Sequence, residues 1–419
     1  MALLASKVGI SERRLRMAGI PDDFRNTRGT SVVSRLSCHN STPRNAGSEG
    51  ILTNVHKHDF LFSYLGCPRH TITPDFKTGF VSEISLCRQI PVLKPSTTAA
   101  MTTQPPFRAV YKTIGQQEID VDVYLPPPAE AKASHPVVIN IHGGAFMLGS
   151  SKMVNRDQVN DCLSRGWIVL APNHRLCPQV SLLDGPMRDC RDLLAWVYDG
   201  SLQKAVDTQA EGSYAIDTDH VFAFGTSSGG TLSLSLGFGV PRPVAGIYDM
   251  YGPSNFTHPF WTKTLEHVAA RLPSGLTEEF LNKVFDEDPV PILGGVSLEG
   301  QAPGPPNFDD PRQAFAMTQI ANGNVMNTIV PSHNWDEVDP IRNISASFPP
   351  TFIVHGQADT MVSIDLSREL FKTLQEKGVK SDLREILGEE HTFAAKMRVG
   401  SETWNLQREG FDFLESLIK

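Results

Sequence analysis

The sequence predicts an α/β fold, a mostly parallel sheet wound on both faces by helices. Three observations carry this expectation. Residues 137–141, 221–224 and 351–354 are short, largely apolar runs, the pattern of strands buried on both faces. Each runs into a glycine-bearing loop, and helix-compatible stretches separate them.

Taken in order, residues 107–114 and 118–125 alternate in polarity and predict an opening hairpin just after Met101. Residues 137–141 predict a strand that enters His142, Gly143, Gly144, Ala145 and Phe146. Residues 221–224 predict a strand that turns through Gly225-Thr226-Ser227-Ser228-Gly229 into a helix from Thr231. After a strand at 244–251 comes a gap of roughly a hundred residues before the strand near Thr351, far longer than an ordinary connection. That gap must hold structure of its own, with helices expected at 265–272 and 277–285. A Pro/Gly-rich crossing over 288–311 then leads to a further helix at 312–321. Residues 382–387 predict the last strand. Residues 404–418 predict a closing amphipathic helix with Phe411, Leu414 and Leu417 on one face.

The loops carry the chemistry. A serine nucleophile must stand clear of its backbone, so it sits on a strained strand-to-helix turn flanked by glycines, and Ser227 in Gly-x-Ser-x-Gly is placed that way. Backbone N–H groups of small residues can approach the oxyanion of a tetrahedral intermediate. Gly143, Gly144 and Ala145 are the candidates, with the Ser228 N–H converging from the turn. Asp359 follows the 351–354 strand, and His391 lies in the loop after 382–387. The order Ser, Asp, His, separated by 132 and 32 residues, belongs to one fold class among those that use this trio. His355 precedes the acid and reads as structural; His142 reads as a loop-shaping residue bonded to backbone. Asp365 competes with Asp359 but falls where a helix begins.

On these residues the chain resembles the α/β-hydrolase superfamily, and within it the hormone-sensitive-lipase-like esterases, marked by a His-Gly-Gly loop ahead of the nucleophile turn. The resemblance runs, with gaps, from Val137 to the C-terminus. It includes His174-Arg175-Leu176-Cys177-Pro178-Gln179, the lead from Asp217 to Val221, and Asp189 and Trp196 of the intervening helix. It implies a mostly parallel eight-stranded sheet with helices on both faces and a cap insertion. The catalytic domain is then expected at 101–255 and 349–419, with the cap at 256–348. Two departures, Ala145 in place of a third glycine and Thr226 in place of an acid, leave the trio intact and bear on substrate class.

The activity expected is hydrolysis of carboxylic esters with small or medium apolar acyl groups, through Ser227, His391 and Asp359 and an acyl-enzyme, with no metal or organic cofactor. Two alternatives stand beside it. One is the same trio acting on an amide, lactone or biosynthetic thioester; the other is a non-catalytic ligand-binding relative. Phe256, Phe260, Trp261, Phe280 and Phe285 either line the acyl pocket or pack the cap's own core, and packing is the favoured reading.

Composition fits that class. A chain of 419 residues with 40% hydrophobic content can bury a large core, and a net charge of −8 gives no reason to expect a nucleic-acid partner. No apolar span long enough for stable membrane insertion occurs, so the expected partner is a small-molecule acyl substrate, with oligomeric state left open. Six cysteines, at 38, 67, 87, 162, 177 and 190, show no metal-type spacing and read as reduced thiols. Residues 1–100 fit nothing that follows and read as a poorly ordered or atypical extension. Eight Lys or Arg against three acids in residues 1–48 leave mitochondrial targeting as the alternative to a cytoplasmic location.

Overall fold

The computed structural model describes residues 105–127, 134–210, 213–295 and 306–418, all within the unit Leu93–Lys419. The expectations for residues 1–100, and with them Cys38, Cys67 and Cys87, lie outside the described residues. Eight strands form one sheet in the order β1-β2-β4-β3-β5-β6-β7-β8. They are β1 (Phe107–Ile114), β2 (Gln117–Tyr124), β3 (Ser134–Ile141), β4 (Ile168–Pro172), β5 (Ala215–Thr226), β6 (Gly246–Met250), β7 (Thr351–Gly356) and β8 (Ser381–Ile386). The β1–β2 hairpin and the β2–β4 pair are antiparallel, and every other pair is parallel.

Strand periodicity explains the largely apolar runs. Val137, Ile139, Ile141, Val221, Ala223, Ile247 and Ile353 face one core, while the alternating residues Val138, Phe222, Phe224, Tyr248, Met250, Phe352 and Val354 face the other. Helices α1 (Arg156–Ser164) and α11 (Glu402–Glu415) cover the second core through Val159, Cys162, Leu163, Phe411 and Leu414. On the other face lie α2 (Arg188–Tyr198), α3 (Ser201–Gln209), α4 (Ser228–Leu234) and α10 (Ile364–Glu376). In α2 the buried Cys190, Leu193, Leu194 and Val197 recur at helical spacing. Side chains cap several helix starts: Asn155 accepts from the N–H groups of Asp157 and Gln158, Ser363 from Asp365 and Ser401 from Trp404. Cys162, Cys177 and Cys190 are free and buried.

Between β6 and β7 lie α5 (Glu266–Ala269), α6 (Glu278–Leu281), α7 (Pro311–Ala321), α8 (Val325–Ile329) and α9 (Trp335–Val338). The first two are shorter than their apolar patterns predict. Arg271 and Leu272 close tight bonds to Val268 and Ala269 just ahead of Pro273, which stops α5. Capped by Thr277, α6 passes after one turn into a 3-10 turn, Asn282–Asp286. The closing helix begins two residues before and ends three residues before the expected 404–418, and buries Trp404, Gln407, Phe411 and Leu414.

Two contacts fasten this segment to the loop after β3. Gly149 and Gly294 exchange backbone hydrogen bonds of 2.7 and 3.1 Å. Arg312 of α7, almost fully buried, donates from Nη1 to the carbonyls of Met147 at 2.8 Å and Cys177 at 2.7 Å, and pairs through Nη2 with Glu287.

Candidate active site

Register brings the carboxyl ends of the parallel strands level. Ile141 is opposite Gly225, Thr226 opposite Met250, Met250 opposite Val354, and Gly356 opposite Ile386. The loops that leave these ends therefore converge on one edge of the sheet, the usual place for a ligand crevice in this architecture.

Ser227 sits between β5 and α4 at φ 50°, ψ −125°, a conformation costly for any residue with a side chain. The flanking glycines make the turn possible. A Cβ on Gly225 would overlap the Gly229 carbonyl, and one on Gly229 would overlap the Ile141 carbonyl at the end of β3. Ser227 N–H donates to Met250 O at 2.9 Å, which holds the turn to β6.

Asp359 follows β7, and His391 lies in the loop after β8. Ala358 N–H donates to Glu389 O at 2.9 Å, so the two loops are stitched together. His391 Nδ1 is 2.6 Å from Asp359 Oδ2, and His391 Nε2 is 2.9 Å from Ser227 Oγ. An ionised carboxylate only accepts, so Nδ1 carries the proton and the Nε2 lone pair faces the hydroxyl. Asp359 Oδ1 accepts from Met361 N–H at 2.8 Å and Val362 N–H at 2.9 Å. Burial works to raise this carboxyl's pKa, but the charge of His391 and the hydrogen bonds of His355 and His391 outweigh it and hold the group well below the usual carboxylate range. Asp365, the competing acid, lies in the first turn of α10 on the surface and pairs with Arg368 at 2.9 Å.

The loop after β3 takes a rare backbone path, with Gly144 at φ 126°, Ala145 at 53° and Phe146 at 63°. Gly144 O accepts from Met147 N–H at 3.1 Å and Leu148 N–H at 2.9 Å, closing the turn. His142 Nδ1–H donates to Gly143 O at 2.8 Å, and its ring stacks on His174 at 4.5 Å. Burial, with His174 beside it, pushes the His142 pKa down to about 3, so the ring is neutral. Gly144 and Ala145 line the same cavity as Ser227 and His391. Gly143 and Ser228 lie behind that lining, Ser228 as the buried first residue of α4.

Two family models match the chain: BD-FAE over residues 121–277 and the prolyl oligopeptidase family over 310–419. The chain is similar to the non-reducing polyketide synthase Preu6 of Preussia isomera, 29% identical over 326 residues, covering 73% of this chain and 14% of that protein. It is also similar to the non-reducing polyketide synthase ausA of Aspergillus calidoustus, 26% identical over 369 residues, covering 78% of this chain and 14% of that protein. The chain thus spans about one seventh of the length of these curated relatives. A crystal structure of a protein of unknown function from Staphylococcus aureus subsp. aureus Mu50 has the same fold, with a TM-score of 0.51 and 20% identity over 74% of this chain and 99% of that one. The chain has the α/β-hydrolase fold. Its His-Gly-Gly loop, within the BD-FAE match, agrees with the hormone-sensitive-lipase-like type.

Above Ser227 this α/β-hydrolase fold has a cavity of about 670 Å³, open mouth included. Phe260, Trp261, Leu265, Ile320, Val325, Met326 and Met361 give it apolar walls. The five aromatics of the insertion do not share one role, and Phe280 is partly buried outside the cavity lining. Phe260 and Trp261 line the cavity, Phe256 is buried in the core, and Phe285 is half exposed. Among the described residues no cluster of three or more His, Cys, Asp or Glu is arranged to hold a metal ion, and no helix is long and apolar enough to cross a membrane.

Two buried polar groups near the site carry no motif in the sequence. Asp249 of β6 accepts from Gly252 N–H at 3.0 Å and fills the space that a side chain on Gly230 would need, beneath the first turn of α4. Burial pushes its pKa up to about 7. The other is His355, fully buried and bonded to the catalytic-acid candidate Asp359.

Proposed function

We propose that this protein is a serine hydrolase that cleaves carboxylic esters of small or medium apolar acyl groups, with Ser227 as nucleophile, His391 as general base and acid, and Asp359 as the orienting carboxylate. The observation that carries this reading is the unbroken chain from Ser227 Oγ to His391 Nε2 at 2.9 Å and from His391 Nδ1 to Asp359 Oδ2 at 2.6 Å, at the floor of an apolar cavity. In this mechanism Nε2 takes the hydroxyl proton as Oγ attacks the ester carbonyl, and Asp359 stabilises the imidazolium that forms. The oxyanion is received by the N–H groups of Gly144 and Ala145 with Ser228, and Gly143 shapes the loop behind them. Collapse expels the alcohol with the proton from His391, and water, activated by the same imidazole, releases the acid and restores Ser227. The insertion between β6 and β7 acts as the cap: its aromatic and aliphatic side chains wall the acyl site, and Lys263, the charged residue it adds to the lining, is exposed to solvent.

A second reading keeps the trio and changes the substrate. The likeness to polyketide synthases supports an acyl thioester, lactone or amide from a biosynthetic route as the natural substrate. A fluorophosphonate probe should label the protein and fail to label Ser227→Ala; an unlabelled wild type would sink both readings and point to the ligand-binding alternative, and a labelled variant would place the nucleophile elsewhere. Turnover of p-nitrophenyl acetate through octanoate then separates the two. Rates peaking at a short or medium chain favour the general esterase. Negligible ester turnover beside hydrolysis of an acyl N-acetylcysteamine favours the thioester route.

A further inference from the structure

Asp359 is shared by two imidazoles. Its Oδ2 accepts from His391 Nδ1 at 2.6 Å and from His355 Nε2 at 3.0 Å, while Oδ1 accepts the two backbone N–H groups of Met361 and Val362. A carboxylate offers about four lone-pair sites, and all are filled here. The proton on His355 follows from its partners. Nε2 lies 3.0 Å from both Asp359 Oδ2 and Val362 O, two acceptors, so Nε2 is the donor. Nδ1 lies 2.7 Å from Ser367 Oγ, whose hydroxyl donates to it in the neutral ring. Strand β7 fixes the backbone of His355, α10 fixes its ring through Ser367, and the side chain has no exposure to solvent.

We infer that His355 is a positioning residue of the hydrolytic site, holding the Asp359 carboxylate in place and moderating how strongly that carboxylate binds the His391 ring. This rests on the reading of Ser227, His391 and Asp359 given above. The geometric effect is direct: without the His355 donor, Oδ1 remains anchored by two N–H groups while Oδ2 keeps only the ring it is meant to orient. The electrostatic effect runs through the same oxygen. A second donor on Oδ2 withdraws negative charge from it, so losing that donor lets Asp359 bind the protonated His391 ring more strongly and delays its return to the neutral base as pH rises. The surrounding groups leave this coupling intact. Tyr251, just after β6, presents its ring 6.3 Å from His355, Ser367 of α10 is uncharged, and Glu385 of β8, opposite His355 in register, is paired with Arg368 at 2.7 Å.

The test uses the full chain, p-nitrophenyl butyrate as substrate and the rate of fluorophosphonate inactivation as a readout independent of substrate choice. His355→Leu should lower kcat and the inactivation rate by about 10- to 100-fold, with KM within about twofold, because a misplaced catalytic group costs on that order. The acid limb of its kcat/KM profile should move to higher pH. His355→Gln places an amide N–H close to the position of Nε2 and should recover most of the rate and return the limb. Ser367→Ala, which frees the ring, should show a smaller loss in the same direction. A folded His355→Leu with unchanged kcat and an unmoved limb overturns the inference, as does His355→Gln behaving no better than His355→Leu. If His355→Leu does not fold, Ser367→Ala with wild-type kcat and an unmoved limb overturns it equally. Full activity in Ser227→Ala or Asp359→Asn instead overturns the underlying assignment and is read separately.

Discussion

Asp249 shows how one buried carboxyl couples stability to pH. Its ordinary pKa is 3.8, and burial beneath α4 raises it to about 7. Between those values the folded chain holds a proton that the unfolded chain has released, so stability falls as pH rises through this window. Asp249→Asn keeps the shape without the titration. Relative to it, the wild type should lose a few kcal/mol between pH 5 and pH 8 in urea unfolding, and a constant difference across that range would contradict the burial effect. Asp359 behaves in the opposite way: with its pKa held low it stays ionised across the working range. The roles of Asp249 and His355 were not legible in the sequence. A buried polar side chain is recognised by its partners, and those partners, Gly252 and the α4 turn for one, Asp359 and Ser367 for the other, become neighbours only on folding.

At the scale of elements, Ser227 and Asp359 stood out as candidates because each follows an apolar run that gives way to glycine, and His391 because it follows the Gly388 turn after β8. The short insertion helices were not. Their apolar spacing extends past Pro273 and past the single turn of α6, and periodicity alone does not report where tight turns take over. The turn at Ser227 makes a direct prediction. Gly229→Ala drives a Cβ into the Ile141 carbonyl, which belongs to the strand leading into the 142–146 loop. Fluorophosphonate labelling should fall by about 100-fold or more even where the protein remains folded by circular dichroism. Arg312 makes a second. Arg312→Met leaves the carbonyls of Met147 and Cys177 without their charged donor, at a cost of about 2 to 4 kcal/mol. A chemical melt that matches the wild type would show that the clamp contributes nothing.

For the described molecule as a whole, the two cores share the same strands. Phe222 and Ala223 are neighbours in β5 yet belong to opposite cores, so neither layer can melt while the other keeps its sheet. The site draws on loops from four strands of that sheet, so ester turnover and helical circular dichroism should be lost together in urea. Activity that disappears well before the helical signal would identify the loops as a separate, weaker unit. The parallel core and its strand ends were legible because both faces are buried and the runs are largely apolar. The opening hairpin, with its alternating polarity, was legible for the complementary reason that one side meets solvent.

The reciprocal pairing of Gly149 with Gly294 constrains how the roof of the cavity can diversify. A side chain at 294 would strike Leu176 and the stem of Arg312, and one at 149 would strike the His142 ring and the Gly143 carbonyl. A lineage that remodels residues 256–348 for a new acyl group must therefore keep both positions bare, or change both sides of the seam at once. Grafting a foreign roof onto this scaffold should succeed only when position 294 and its arginine travel with it.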